Sequence, residues 1–168
     1  MAEIQGNSIE NELRDKGKIV YRTVGGSMLP LLRECRDLVM IESVAARAEC
    51  DCDAVRAELK AGDVILFKHG GRYVLHRLIC IGEDEGGAVY TTYGDNCICP
   101  EHIRAGDVLG VMTEFKRDGK NVDVGDACYQ RYCDELVRQK LSIERQHFPK
   151  ILLRVNNRLL RIRNQKLI

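Results

Sequence analysis

The chain has 168 residues, a formal net charge of +1 and 45% hydrophobic residues, so it is long enough to bury one core without disulfides or metal. The near-neutral charge argues against a polyanion binder. No apolar run reaches the roughly 18 residues that a membrane-spanning helix needs, and the first twenty residues are too polar and acidic for a secretory signal. We therefore predict a cytoplasmic protein.

The elements expected in chain order describe a mainly β domain with helical N- and C-terminal segments. The stretch Ile4 to Lys18 is typical of a short polar helix. Apolar alternation then predicts four strands, and the charged, Ala-rich residues 44–60 are expected to form a loop or short helix beyond the sheet. The four predicted strands are Lys18 to Thr23, Leu38 to Ser43, Val64 to Lys68 and Arg72 to Ile81.

After residue 126 the sequence pattern changes from strand alternation to helical spacing. Helical spacing predicts one helix beginning near Cys128 and a second, basic one after Pro149. From Arg145 onward there are seven Lys or Arg residues and no acidic residue. We therefore divide the chain into a larger domain with a short N-terminal helix, 1–126, and a basic helical tail, 127–168. The tail helix either packs its apolar stripe on the domain or docks on a membrane surface or a protein. Without a helix-turn-helix or zinc-finger pattern, nucleic acid is not an expected partner.

The segment Val24-Gly25-Gly26-Ser27-Met28-Leu29-Pro30 carries the most specific chemical signal. A serine hydroxyl needs a neighbouring base to become nucleophilic, and a neutral imidazole suits that task. His76 is the candidate base. A carboxylate that binds the other ring nitrogen would fix the tautomer of the imidazole, and Asp95 of the Gly-Asp-Asn sequence is the candidate for that role.

The order of the motifs resembles the type I signal peptidase family, in its endoplasmic-reticulum and archaeal branch, where the base is His rather than Lys. The resemblance extends over about residues 19 to 115 and runs through "GGSMLP", "CRDLVMI", "AGDVILF", "YVLHRLICI", "YTTYGDN" and "AGDVLGVMTEF". It implies a β-rich core like that of signal peptidases and SOS-type repressors. It also implies cleavage of an extended precursor or leader peptide after small residues, with no cofactor or metal.

The chain departs from the family at two positions. Many members have a serine two residues before the nucleophile, where this chain has Gly25, so the oxyanion hole would consist of backbone donors in Gly25, Gly26 and Ser27. A second aspartate of the endoplasmic-reticulum branch corresponds to Glu101, which is the second-choice carboxylate for His76. Three further residues, Met28, Leu29 and Pro30, are expected to line the substrate pocket.

Two other functions fit the same residues. One is a weak or inactive peptide-binding module, favoured by Gly25, Glu101 and the lack of a predicted anchor. The other is a regulator that cleaves only itself, although His76 in place of lysine argues against it.

Eight cysteines are expected to be thiols. Zinc binding by the pairs Cys50/Cys52 and Cys97/Cys99 is disfavoured by their one-residue spacing.

Overall fold

The computed structural model describes residues 9–44 and 59–146. Its described part is an antiparallel sheet flanked by a short N-terminal helix and a longer C-terminal one, which confirms the predicted β-rich class. The helices are α1, Ile9–Lys16, and α2, Ala127–Gln146, and Ala105–Asp107 form one 3-10 turn. The strands are β1 Lys18–Arg22, β2 Leu38–Ser43, β3 Val64–His69, β4 Arg72–Asp84, β5 Gly87–Tyr93, β6 Glu101–Arg104, β7 Val108–Arg117 and β8 Lys120–Asp123.

The strand order is β1-β2-β7-β3-β4-β5-β6, with β8 paired to β7. Strands β1 and β6 thus lie at the two ends of this path. β4 occupies an interior position, where it pairs with β3 and β5 in antiparallel register. The β3–β4 hairpin tip is Gly70-Gly71, and both glycines adopt positive φ, as expected for a tight hairpin turn.

The buried hydrophobic residues of the sheet form two clusters. Successive side chains of a strand point to opposite faces, so a single strand can contribute to both. One contains Val64, Leu66 and Leu75, together with Leu13 of α1 and Leu136 of α2. The other contains Ile65, Phe67, Leu78, Tyr90 and Ile103. The central strand β3 contributes to both clusters.

Helix α2 belongs to the same packed unit as the sheet. Its first turn is capped by Asp126, whose carboxylate accepts hydrogen bonds from the backbone N–H groups of Cys128 (2.7 Å) and Tyr129 (3.1 Å). Tyr129, Tyr132, Cys133 and Leu136 are buried in the first cluster. The helix from residue 127 to 146 therefore packs as part of the core, and a division of the chain after residue 126 does not coincide with a boundary in packing.

Some sequence expectations fall outside the described residues. They concern the start of the predicted N-terminal helix, most of the 44–60 segment, and the basic helix after Pro149. Cys50 and Cys52 also lie there. No helix in residues 9–44 and 59–146 is long and apolar enough to cross a membrane.

Candidate active site

The candidate site is an open cleft of about 250 Å³ at the end of β1 and along the first half of β4. Ser27, His76 and Glu101 all line it. These residues come from the loop after β1, from β4 and from the start of β6, so the fold brings together groups that are far apart in the chain. The remaining lining residues are Tyr21, Thr23, Val24, Gly25, Met28, Tyr73, Val74 and Leu75.

The His76 imidazole is held in one orientation by contacts on two sides. Its side chain is 7% exposed, and its Nδ1 lies 2.8 Å from Oε2 of Glu101. The Phe67 ring packs edge-on against it, with 6.2 Å between the ring centroids. Because Nδ1 faces Glu101, Nε2 is the nitrogen that faces the loops carrying Ser27 and Gly94.

The electrostatic surroundings of His76 favour the imidazolium. Burial is the largest single influence and by itself would lower the pKa of the ring. Hydrogen bonds and charge interactions with Cys97 and Glu101 outweigh it and raise the pKa to about 9. The ring is therefore mainly protonated at neutral pH, and it becomes a proton acceptor as the pH rises.

The serine turn is attached to the Gly94-Asp95-Asn96 loop by hydrogen bonds. The backbone N–H of Asn96 donates to the carbonyl of Ser27 (2.7 Å), and the Asn96 side-chain amide donates to the carbonyl of Gly26 (3.2 Å). Gly25 has φ +85°, a conformation that glycine adopts without the steric cost other residues incur.

Gly94 allows the two loops to approach the imidazole closely. A Cβ at this position would lie 2.6 Å from Cys97 Sγ, 2.7 Å from the Ser27 carbonyl oxygen and 3.0 Å from His76 Nε2. The distances to Cys97 Sγ and to the Ser27 carbonyl oxygen are shorter than the contacts that Cβ atoms make in proteins. The Ser27 oxygen belongs to the backbone and cannot move aside as a flexible side chain can. Glycine is thus required sterically where the serine turn, the imidazole and the thiol converge.

Asp95 lies elsewhere, and its predicted contact with His76 is wrong. Its carboxylate accepts two hydrogen bonds from the Arg77 guanidinium, at 2.8 and 2.9 Å, and one from the Tyr132 hydroxyl at 2.8 Å. His76 and Arg77 are consecutive in β4, so their side chains leave opposite faces of the strand. Asp95 pairs with Arg77 on the face covered by α2, and Glu101 pairs with His76 on the other.

The Asp95 pair belongs to a buried polar network between the sheet and α2. The Arg77 guanidinium also donates to the Gly62 carbonyl (2.6 Å) and contacts Cys133 Sγ (2.9 Å). Burial opposes the charge on Arg77, but the Asp95 carboxylate keeps the pKa of the guanidinium well above its usual value. Lys140 of α2 donates to the Cys97 carbonyl (2.5 Å), and burial lowers the pKa of this amine.

The expected pocket residues are distributed unevenly. Met28 lines the cleft and is 3% exposed, whereas Leu29 and Pro30 are not among the described residues that line it. Pro30 is buried and follows a cis peptide bond. The structure therefore does not support the pocket prediction for these two residues.

Sequence reasoning did not identify the roles of Tyr132 and Lys140. For Lys140, however, the sequence contains a signal that indicates burial. Lys140 falls on the apolar stripe of α2, at helical spacing from Tyr132, Cys133 and Leu136. A lysine on such a stripe must be buried and needs a partner, which here is the Cys97 carbonyl.

Within the described ranges, no group of three or more His, Cys, Asp or Glu side chains is arranged to hold a metal ion. No disulfide joins the six cysteines in those ranges. Comparisons with family models, curated proteins and solved structures found no match.

Proposed function

We propose that this protein is a serine endopeptidase of the signal-peptidase type that cleaves a precursor or leader peptide after small residues. The observation that carries the proposal is the shared cleft of Ser27, His76 and Glu101, with a 2.8 Å contact between His76 Nδ1 and the carboxylate. A nucleophile, a base and an orienting group in one accessible cleft are the parts that acyl transfer requires. The resemblance in motif order supports the same reaction.

In the proposed reaction, the Ser27 hydroxyl gives its proton to Nε2 of neutral His76 and attacks the scissile carbonyl. The imidazolium then gives the proton to the leaving amine, and water hydrolyses the acyl-enzyme by the reverse sequence. Glu101 keeps the ring in the required tautomer. With Gly25 in place of a hydroxyl-bearing residue, the oxyanion accepts hydrogen bonds from backbone donors such as Ser27 N–H.

The substrate would lie extended beside β1, which is at one end of the sheet path and leads directly into the serine loop. Val20 is 61% exposed on this strand, and Val24, 75% exposed, follows it. An edge strand presents unpaired backbone groups that an extended peptide can bind. We propose a cytosolic precursor as the substrate, with the basic segment after Pro149 as a docking element for a membrane surface or protein.

A peptide-binding module without catalysis is the second candidate, and the protonation of His76 favours it. A ring whose pKa is about 9 is mainly cationic at neutral pH and cannot then accept the serine proton. The two candidates share the cleft and the edge strand. They differ in whether Ser27 reacts.

The test is labelling by a fluorophosphonate probe combined with cleavage of a library of extended peptides at pH 9. We expect the probe to label Ser27, and expect His76→Gln to lower kcat/KM by about 10²- to 10⁴-fold, the usual contribution of a positioned base. The Ser27→Ala/His76→Gln double variant should lose little more than Ser27→Ala alone, because the pair acts as a unit.

Ser142→Ala, an exposed serine on α2, is the matched control and should retain full activity. Absence of labelling and cleavage, together with peptide binding that Ser27→Ala leaves intact, would establish the binding module instead.

A further inference from the structure

Cys97 is a second nucleophilic group at the same imidazole. The thiol lies in the loop between β5 and β6 and is partly exposed. A Cβ at Gly94 would touch both its sulfur and His76 Nε2, and the thiol and the ring share a hydrogen bond. Since Nδ1 of the ring is occupied by Glu101, the order of contacts is Cys97, His76, Glu101.

We propose that Cys97 is a modification site for small, uncharged thiol-reactive electrophiles, activated by His76 and Glu101. A thiol beside an imidazole whose second nitrogen is held by a carboxylate has the arrangement that activates cysteine nucleophiles. This separates Cys97 from Cys35, Cys99 and Cys128, which are exposed and for which the described residues show no contact with a histidine.

Charged groups from several elements face this thiol. His76 and Glu101 reach it from the sheet, and the Lys140 ammonium of α2 binds the Cys97 carbonyl at 2.5 Å. Asp95 lies in the same loop, but its charge is bound by Arg77. The loop that carries Cys97 is thus held between a cationic helix residue and the imidazole, which fixes the sulfur beside Nε2.

The chemical step balances with iodoacetamide as the electrophile. The ring accepts a proton only in its neutral form, so the reaction is followed at pH 9, near the pKa of His76. The proton of Cys97 passes from Sγ to Nε2 of neutral His76, and the sulfur attacks the CH₂ carbon of the reagent. The C–S bond forms as the C–I bond breaks, iodide leaves, and His76 later releases the proton to water. The resulting adduct occupies the space beside Nε2, where the Ser27 proton must arrive; this consequence rests on the proposed function.

The first experiment measures carbamidomethylation rates of individual cysteines in the full chain by peptide mass spectrometry, in a Cys99→Ala background that leaves one thiol in the Gly94 to Arg104 segment. We expect Cys97 to react faster than exposed Cys35 and Cys128, by up to about 10²-fold, the low end of what a positioned base contributes. His76→Gln and Glu101→Gln should each remove the advantage.

His102→Gln is the matched control, because this exposed histidine of β6 contacts Thr91 rather than a thiol. It should leave the rate at Cys97 unchanged. The proposal is overturned if Cys97 reacts no faster than Cys35 and Cys128, or if neither Glu101→Gln nor His76→Gln slows it. Glu101→Gln is included because Glu101 is partly exposed and its replacement is compatible with folding should His76→Gln misfold.

The second experiment follows peptide cleavage during the same treatment. Cleavage activity should be lost at the same rate as Cys97 is modified. The Cys97→Ala variant should keep its cleavage activity in the presence of iodoacetamide. If no variant cleaves any peptide but the labelling pattern holds, the proposed function fails and the modification site stands. If cleavage persists with Cys97 fully modified, the blocking role of the adduct is refuted.

Discussion

Asp95 and Glu101 are carboxylates six residues apart in one loop-and-strand segment, yet they lie in different environments. Asp95 has a side chain only 1% exposed and binds a guanidinium and a phenol between the sheet and α2. Glu101 has a side chain 26% exposed and binds an imidazole in an open cleft. The first arrangement joins the sheet to α2, and the second raises the pKa of an imidazole that lines the cleft. The partner of a carboxylate, rather than its motif, thus determines its role.

Two isosteric variants, Glu101→Gln and Asp95→Asn, assayed for peptide cleavage, should separate the roles of the two carboxylates most clearly. We expect Glu101→Gln to lower kcat/KM by about 10²- to 10⁴-fold, because the amide no longer orients and stabilises the imidazolium. Glu85→Gln, an exposed residue of the β4–β5 turn, is the matched control. Should Asp95→Asn abolish cleavage while still folded, and Glu101→Gln retain it, the assignment of the orienting carboxylate would be reversed.

The same two variants should show the opposite order in their free energies of unfolding, with Asp95→Asn the more destabilised. Asp95→Asn leaves the Arg77 guanidinium buried without its counter-ion, which typically costs about 3–5 kcal/mol. Glu101→Gln changes a partly exposed pair and should cost about 1 kcal/mol or less. Urea denaturation, monitored by circular dichroism, measures the loss of unfolding free energy in each variant. Equal midpoints for the two variants would contradict the structural role of the Arg77–Asp95 pair.

The smallest effect expected is a shift of the pH profile. Only neutral His76 accepts the serine proton, so kcat/KM should rise with pH through about 9, the pKa of the ring. Glu101→Gln removes an interaction that raises this pKa, so the residual activity should rise at lower pH than in the wild type. A wild-type profile that is already flat at neutral pH would show that the imidazolium is not favoured in this way.

Stability should depend on the same group. The folded pKa of His76 lies above the value of about 6.5 for an unfolded histidine. The contacts of the imidazolium therefore stabilise the fold fully below about pH 6.5, and this contribution is lost as the pH rises through about 9. The free energy of unfolding, measured across this range for the wild type and His76→Gln, isolates the contribution.

The local elements could be predicted from the sequence because they depend on periodicity and turn chemistry. Alternating apolar residues predicted β2 with its observed bounds and β1, β3 and β4 to within a few residues. The strands β5, β6, β7 and β8 were not predicted as strands. β6 and β8 are only four residues long, too short for alternation to be distinctive. Ser27 and His76 were also nominated from sequence, and the structure places both on one cleft.

The choice between Asp95 and Glu101 depended on tertiary structure. The intact Gly-Asp-Asn motif favoured Asp95, but a motif does not specify which face of a neighbouring strand its side chain meets. That choice follows from the register of β4 with β5 and from the docking of α2, which supplies Tyr132 and covers Arg77. The same docking makes Lys140 and Cys97 neighbours across more than 40 positions of chain. Local patterns thus identified Ser27 and His76 as candidates. Long-range packing decided which groups each of them contacts, because partners on separate elements meet only once the sheet and helix have packed.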